Sequence, residues 1–383
     1  MSEWKEYKLG EVTEPIKDTF NPDGSDDYAY IGLEHIEQES LRLNSIGVSS
    51  DVTSNKFLFK SNDILFGKLR PYFRKVVKPQ FDGICSTDIW IFRAKEGFDQ
   101  NYLYYFIANW DFVNTANSGE GGTRMPRADW NFLKTTEWNF PTLPEQIQIT
   151  SILSSLDDKI DLLRRQNKTL KQLAETLFRQ WFVEEAEKNW ETIRICDVAD
   201  INSRSISKNF LFSEIEYLDT GSITDGIIAG FQTYQLTDAP SRAQRIVKDN
   251  DIVYSLVRPI QRHYGLLNGM KPNTIVSTGF CVISCQDFSP HFLYILLTTS
   301  ENIEYFDMIA EGATSTYPSL KPSDIANFEF QNPPKEKLAK FSKLASDYWN
   351  KINSNTNQIQ ILTQLLDTLL PKLIAGEVKV NLN

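Results

Sequence analysis

Two stretches concentrate basic side chains in a chain whose net charge is −10. Between positions 56 and 80 stand Lys56, Lys60, Lys68, Arg70, Arg74, Lys75 and Lys78 against Asp63 alone, with Tyr72 and Phe73 among them. Between 242 and 271 stand Arg242, Arg245, Lys248, Arg258, Arg262 and Lys271 against Asp249 and Asp251, with Gln261, His263 and Tyr264 nearby. Basic side chains attract phosphates, and Arg, Gln or His can read base edges. A solvated charged face explains either stretch alone equally well. Their recurrence at equivalent places in a repeat favours nucleic acid. The candidate DNA-contacting residues are Lys68, Arg70, Tyr72, Arg74, Lys75 and Arg127 in the first half, and Arg258, Gln261, Arg262 and His263 in the second. Glycine-containing loops add Thr123, Arg124, Thr314, Ser315 and Tyr317, where backbone could approach a duplex.

Signs of a catalytic centre are missing. Gly119-Glu120-Gly121-Gly122-Thr123 lacks the P-loop lysine and the G-x-G-x-x-G spacing, and neither a G-x-S-x-G elbow nor an H-E-x-x-H pair occurs. Asn332-Pro333-Pro334-Lys335 is similar to the Asn-Pro-Pro-aromatic motif of adenine methyltransferases. Lys335 stands where the aromatic should be, so a helix start explains the segment better. Cys85, Cys196, Cys281 and Cys285 form no C-x-x-C pair, and the three histidines are scattered. Neither a zinc site nor a disulfide framework is expected, and a reducing cytoplasm fits. No metal and no cofactor is expected.

The elements that must position the basic residues come in two copies. Trp4-Lys5-Glu6-Tyr7-Lys8-Leu9-Gly10-Glu11-Val12 returns as Trp190-Glu191-Thr192-Ile193-Arg194-Ile195-Cys196-Asp197-Val198. Asp63-Ile64-Leu65 with Arg70-Pro71 returns as Asp251-Ile252-Val253 with Arg258-Pro259, and Ser86-Thr87 as Ser277-Thr278. The period is far longer than the roughly 20–50 residues of a solenoid. Each half begins with short strand-like runs punctuated by Gly, Pro, Asn and Asp, and ends in a long amphipathic helix.

Pro141 and Pro144, then Pro333 and Pro334, mark the two helix starts. Ile149, Leu153, Leu156, Ile160, Leu163, Asn167, Leu170, Ala174, Leu177 and Trp181 alternate steps of four and three, as do Phe341, Ala345, Tyr348, Ile352, Asn355, Ile359, Leu362, Leu366, Leu369 and Leu373. Two separate surface helices would show broader stripes, so the spacing predicts a coiled-coil seam. Each seam holds one strongly polar residue, Asn167 or Asn355. Antiparallel alignment sets these two amides opposite each other, whereas parallel alignment strands each in an apolar layer at about 1–3 kcal/mol. The expected pairing is antiparallel, with Pro371 kinking or ending the second helix. A second apolar edge, Ile152, Leu162, Leu173, Phe178 and Phe182, awaits either a folded-back domain or, as the favoured reading, a partner protein.

The chain begins without a basic-then-apolar leader, and no apolar run nears the roughly 18 residues of a membrane span. The expected class is α+β: two pseudo-symmetric mixed α/β domains joined by two long antiparallel coiled-coil helices. The expected bounds are 1–143 and 188–331 for the two domains, 144–187 for the first long helix, and 332–383 for the second helix and tail.

This architecture resembles the specificity subunits of type I restriction–modification systems. The resemblance spans nearly the whole chain. It is carried by Trp4-x-x-Tyr7-x-Leu9-Gly10-Glu11-Val12, by Pro144-Glu145-Gln146-Ile147, by Leu177-Phe178-Arg179-Gln180-Trp181-Phe182-Val183, and by Leu369-Leu370-Pro371-Lys372-Leu373-Ile374-Ala375-Gly376-Glu377-Val378. It implies a subunit without catalytic activity whose two domains each read one half of a bipartite site in double-stranded DNA. Partners would be two methyltransferase subunits and, in some systems, restriction subunits, with no membrane involved. Lys335-Glu336-Lys337-Leu338 departs from the Glu-Gln helix entry, which puts one capping contact in doubt. The seam from Ile149 to Trp181 would span about 48 Å at a rise of roughly 1.5 Å, beside about 34–36 Å between half-sites one DNA turn apart. The resulting expectation is a ruler in which domains choose bases and helices choose spacing. The rivals are a duplicated protein-binding scaffold, whose DNA binding would show no steep salt dependence, and a self-sufficient DNA adenine methyltransferase.

Overall fold

The computed structural model describes residues 4–22, 27–118, 125–207, 209–312 and 318–380. Contacts divide the chain into two compact units, Met1–Leu162 with Gln358–Asn383, and Leu163–Asn357. Each unit thus owns part of each long helix.

In the first unit a four-stranded antiparallel sheet runs in the order Thr13–Ile16, Ile89–Ala94, Ile64–Gly67, Val76–Val77. The second unit repeats that order with Ala199–Ile201, Phe280–Cys285, Ile252–Ser255 and Tyr264–Leu266. Ile64–Gly67 and Ile252–Ser255 are buried along their whole length, which is why they read as unbroken apolar runs rather than alternating ones. Another sheet in each unit contains one parallel pair, Ala29–Ile31 with Gly83–Ser86 and Glu214–Leu218 with Thr274–Ser277. The repeat therefore reaches down to strand order. The fold is α+β as expected, and no helix among the described residues is long and apolar enough to cross a membrane.

The turn entering each buried strand is also duplicated. Asn62 and Asn250 take left-handed conformations (φ 69° and 67°), which asparagine tolerates better than most residues. The carboxylates of Asp63 and Asp251 accept the backbone N–H groups of Lys60 (2.7 Å) and Lys248 (2.8 Å). Both acids are buried, yet their cations come from different places. Asp63 takes a bidentate pair from Arg93 at 2.5 and 2.8 Å. In the second unit Ser284 fills the strand position of Arg93 and donates to Asp251 at 2.8 Å, while Arg204 supplies the guanidinium. Burial raises the Asp251 carboxyl above its ordinary range, against the pull of the Lys248 and Ser284 bonds.

The first long helix runs Leu143–Arg179 and passes into a π-helical turn, Gln180–Glu184; the second runs Lys335–Ile374. Pro144 sits in a first turn, where its missing N–H breaks no bond. Pro371 does not end the second helix. The backbone continues to Ile374 and closes at Gly376, whose φ of 72° suits a residue without Cβ. Asn332-Pro333-Pro334 serves as a helix entry: the Asn332 N–H donates to Glu191 O at 2.8 Å and the helix begins at Lys335.

Within the second unit the two helix segments run antiparallel in the expected register. Asn355 Nδ2 donates to Asn167 Oδ1 at 2.8 Å. Further along the same register the Trp181 and Phe341 rings lie 6.5 Å apart. The first unit's core gathers Ile149 and Leu153 with Leu366, Leu370 and Leu373. The helix entries differ as the sequence indicates. In the first unit Trp4 Nε1 donates to Glu145 Oε1 (3.3 Å), and the Gln146 side chain bridges Asp99 N and Pro141 O (2.8 and 2.9 Å). In the second, Lys337 lies 5.6 Å over the Trp190 ring and pairs with Glu185 at 3.0 Å. A cation–π contact replaces the amide bridge.

Candidate nucleic-acid interface

Each buried strand leads into a backbone hook. In the first unit Arg70 is left-handed (φ 52°), Pro71–Phe73 form a 3₁₀ turn, and Arg74 is left-handed again (φ 47°). In the second, Arg258 (φ 45°), Pro259–Gln261 and Arg262 (φ 57°) repeat the path. Proline presets φ for the turn, but a left-handed arginine costs about 1–2 kcal/mol. The strain is held by neighbours. Arg70 N donates to Pro126 O at 2.7 Å and Arg258 N to Pro318 O at 3.3 Å. Isolated bridges join Leu69 to Arg127 and Val257 to Ser319. Behind the second hook, Ile260 N donates to the Asp307 carboxylate at 3.2 Å. The hooks are thus tied to the stems that follow the two glycine loops. Thr123, Arg124, Thr314, Ser315 and Tyr317 themselves lie outside the described residues.

The basic residues of the first stretch do not share one face. Arg74 is only 4% exposed: its Nε donates to Ala108 O (2.6 Å), Nη1 donates to Glu39 O (3.3 Å), and its guanidinium lies 5.2 Å over the Trp110 ring. Arg74 is a packing residue, and the expectation that it contacts DNA is corrected. Lys56 is buried on Ser54, and half-buried Lys75 donates to Leu33 O at 2.5 Å. Lys78 donates to Asn101. Lys60 pairs with Asp82 at 3.0 Å.

What remains near the first hook is smaller and more pointed. Arg70 lies 6.0 Å over the Phe73 ring, and exposed Tyr72 tilts against Phe73 at 4.6 Å. Lys68 is half-buried, and its ammonium is pushed below the ordinary lysine range by desolvation. Asp88 opposes that shift, while Arg127 and Lys17 add to it. Arg127 is exposed and reaches Asp88 at 3.3 Å. Lys68 thus feels two further cations, Arg127 and Lys17, against the single opposing charge of Asp88, and an anionic partner would favour its charged form. Lys17 escaped the sequence reading because it stands far from the basic stretch along the chain.

In the second unit Arg258, Gln261 and Arg262 are exposed. Among the described residues neither arginine forms an ion pair and the Gln261 amide has no hydrogen-bond partner. His263 is turned inward: Nδ1 lies 2.7 Å from Ile223 O, and since a carbonyl only accepts, Nδ1 carries the proton.

The second apolar edge divides. Ile152, Leu162 and Leu173 are exposed, whereas Phe178 and Phe182 are 3% and 8% exposed. Both phenylalanines pack tilted or edge-on against Phe292 of their own unit (5.1 and 4.9 Å) and against Phe341 (6.1 and 5.1 Å). For these two the covering element is the chain's own Pro290–Thr298 helix, and a docking role is corrected. Exposed Leu143, Ile147, Ile361, Leu365 and Val183, which the seam analysis did not single out, extend the apolar surface of the helices.

Comparison with known proteins gives consistent matches. The family model described as the type I restriction modification DNA specificity domain matches twice, over residues 1–172 and 187–364. The MjaIX specificity subunit of Methanocaldococcus jannaschii is 26% identical over 75% of this chain and 71% of its own length. The MjaVIII specificity subunit of the same organism is 21% identical over 100% of this chain and 94% of its own. The HindI specificity subunit of Haemophilus influenzae is 30% identical over 47% of this chain and 40% of its own. Among solved structures, the type I S subunit from M. genitalium shares the fold with a TM-score of 0.57 at 15% identity, covering 100% of this chain and 97% of that one.

Proposed function

This chain belongs to the family of type I restriction modification DNA specificity proteins, and we propose that it reads a split DNA site, one half with each unit. It is a DNA-recognition subunit rather than a catalytic one, and as such works in a complex with DNA and with modification and restriction subunits. The observation that carries the half-site reading is the duplicated hook. The same strained backbone stands at equivalent positions of the two units, with Lys68, Arg70 and Arg127 beside one and Arg258, Gln261 and Arg262 on the other. Phosphate contacts from these cations fix orientation, and the residues between them meet base edges. Because the hook tips differ in sequence, the two half-sites are unequal.

The long helices set the unread gap between half-sites. This reading is supported by their continuity over 37 and 40 residues and by the amide pair that fixes their register. Exposed Ile152, Leu162 and Leu173 receive helices of two methyltransferase subunits, and the complex works in the cytoplasm, where its DNA lies. The test removes one heptad from each helix on the same side of the Asn167–Asn355 pair, so that opposed residues stay matched. Adenine methylation by the assembled complex is then mapped on a library of spacings. The permitted gap should shorten or recognition should vanish; an unchanged gap would overturn the ruler.

A further inference from the structure

Gln261 ends the 3₁₀ turn of the second hook with its backbone N–H committed to Arg258 O at 2.9 Å and its side chain exposed. The support beneath it is stiff. Pro259 is buried, Ile260 N is held by Asp307, and Arg262 N closes on Pro259 O at 2.9 Å. A carboxamide carries one donor and one acceptor side by side. In the major groove adenine offers the matching pair, N6–H₂ and N7, on a single edge. Guanine shows two adjacent acceptors there, cytosine a donor, and thymine an acceptor with a methyl group, so none completes both bonds. Arg258 and Arg262 bracket the amide at the two left-handed corners, where guanidinium groups suit the phosphates on either side.

The first hook shows by contrast that the backbone alone does not decide the chemistry. Phe73 stands at the position of Gln261, half-buried beneath Tyr72 and Arg70, and Arg74 is withdrawn into the core. That hook presents an aromatic tip and no amide.

We propose that Gln261 reads an adenine in the half-site bound by the second unit, with Arg258 and Arg262 on flanking phosphates. The inference rests on the reading of the hooks as DNA-facing elements, and its test separates the two. The full modification complex is assembled with this chain and presented with duplex oligonucleotides randomised in both half-sites. Gln261→Ala should lose about 10- to 100-fold of base preference at one adenine position, with the other half-site and the gap unchanged. Gln261→Arg should move the preference at that position towards guanine, whose N7 and O6 suit a guanidinium. Arg258→Ala should instead weaken all sequences alike and lower the salt slope of binding by about one. Unchanged preference with Gln261→Ala, or a loss at a base other than adenine, overturns the adenine assignment while leaving the hooks as DNA contacts. Unchanged affinity and salt slope with both Arg70→Ala and Arg258→Ala overturns the hooks themselves.

Discussion

Replacing Asn167 by leucine should destabilise the second unit more than replacing Asn355, although Asn355 is the deeper residue. Asn355 is 0% exposed, and its amide donates to Asn167 Oδ1 at 2.8 Å and to Gln166 Oε1 at 3.4 Å. Removing Asn167 leaves that buried amide with the long bond only, at about 1–3 kcal/mol. A leucine at the half-exposed 167 position returns about 1 kcal/mol of burial. The net loss is about 0–2 kcal/mol. In Asn355→Leu the survivor is Asn167, whose Nδ2 still donates to Thr356 Oγ1 at 3.3 Å and whose freed Oδ1, on a half-exposed residue, accepts from water. Leucine in the fully buried slot then gains about 1.5–3 kcal/mol against about 1 kcal/mol for the lost bond. The expected sum is neutral or stabilising, and the double leucine variant should be the most stable of the four proteins. Its register should be the least defined, because a polar seam pair fixes alignment at a cost in stability. Urea midpoints followed by tryptophan fluorescence give the order, and the spread of accepted gap lengths reports register. A double variant less stable than either single one, or Asn355→Leu falling below Asn167→Leu, would refute the reasoning.

Acid should weaken the second unit through His291, which is 7% exposed and whose pKa burial lowers to about 4. The folded state keeps it neutral while the unfolded chain protonates near 6.5. This contribution is therefore intact above pH 6.5 and drains away as pH falls towards 4. Between pH 7 and pH 5 the loss is about 2 kcal/mol, and urea midpoints of His291→Gln should lack it. Arg74→Ala and Arg258→Ala should behave as opposites. The first should cost about 2–3 kcal/mol of stability through its bonds to carbonyls and its stacking on Trp110, with the salt slope of DNA binding unchanged. The second should leave the melting curve in place and lower the slope.

The helix register was legible because a buried amide has few inexpensive solutions: Asn167 and Asn355 had to meet, and only one direction lets them. The duplicated strands were legible for a related reason, since Asp63 and Asp251 precede apolar runs that nothing but a covered sheet could accept. Charge counting misled at Arg74 because side-chain direction depends on what the surrounding unit offers. Arg262 shares the left-handed backbone and stays exposed, whereas Arg74 is drawn onto Ala108 O and the Trp110 ring, and no spacing rule announces that difference. Phe178 and Phe182 misled because a helix stripe states that a face is covered without saying by what. Their cover, Phe292, lies more than a hundred residues further along the chain.

The exchange of cations beneath Asp63 and Asp251 limits how such halves can recombine. A crossover that set Ile89–Ala94 in place of Phe280–Cys285 would bring Arg93 to the site of Ser284 and crowd two guanidiniums onto Asp251. The reciprocal graft would strand Asp63 as a buried anion with no counterpart, a defect of about 3–5 kcal/mol. Breakpoints within a sheet are thus self-defeating, whereas breakpoints in the long helices transmit each acid together with its own base. Inheritance of binding preference should accordingly proceed by whole modules, never by single strands.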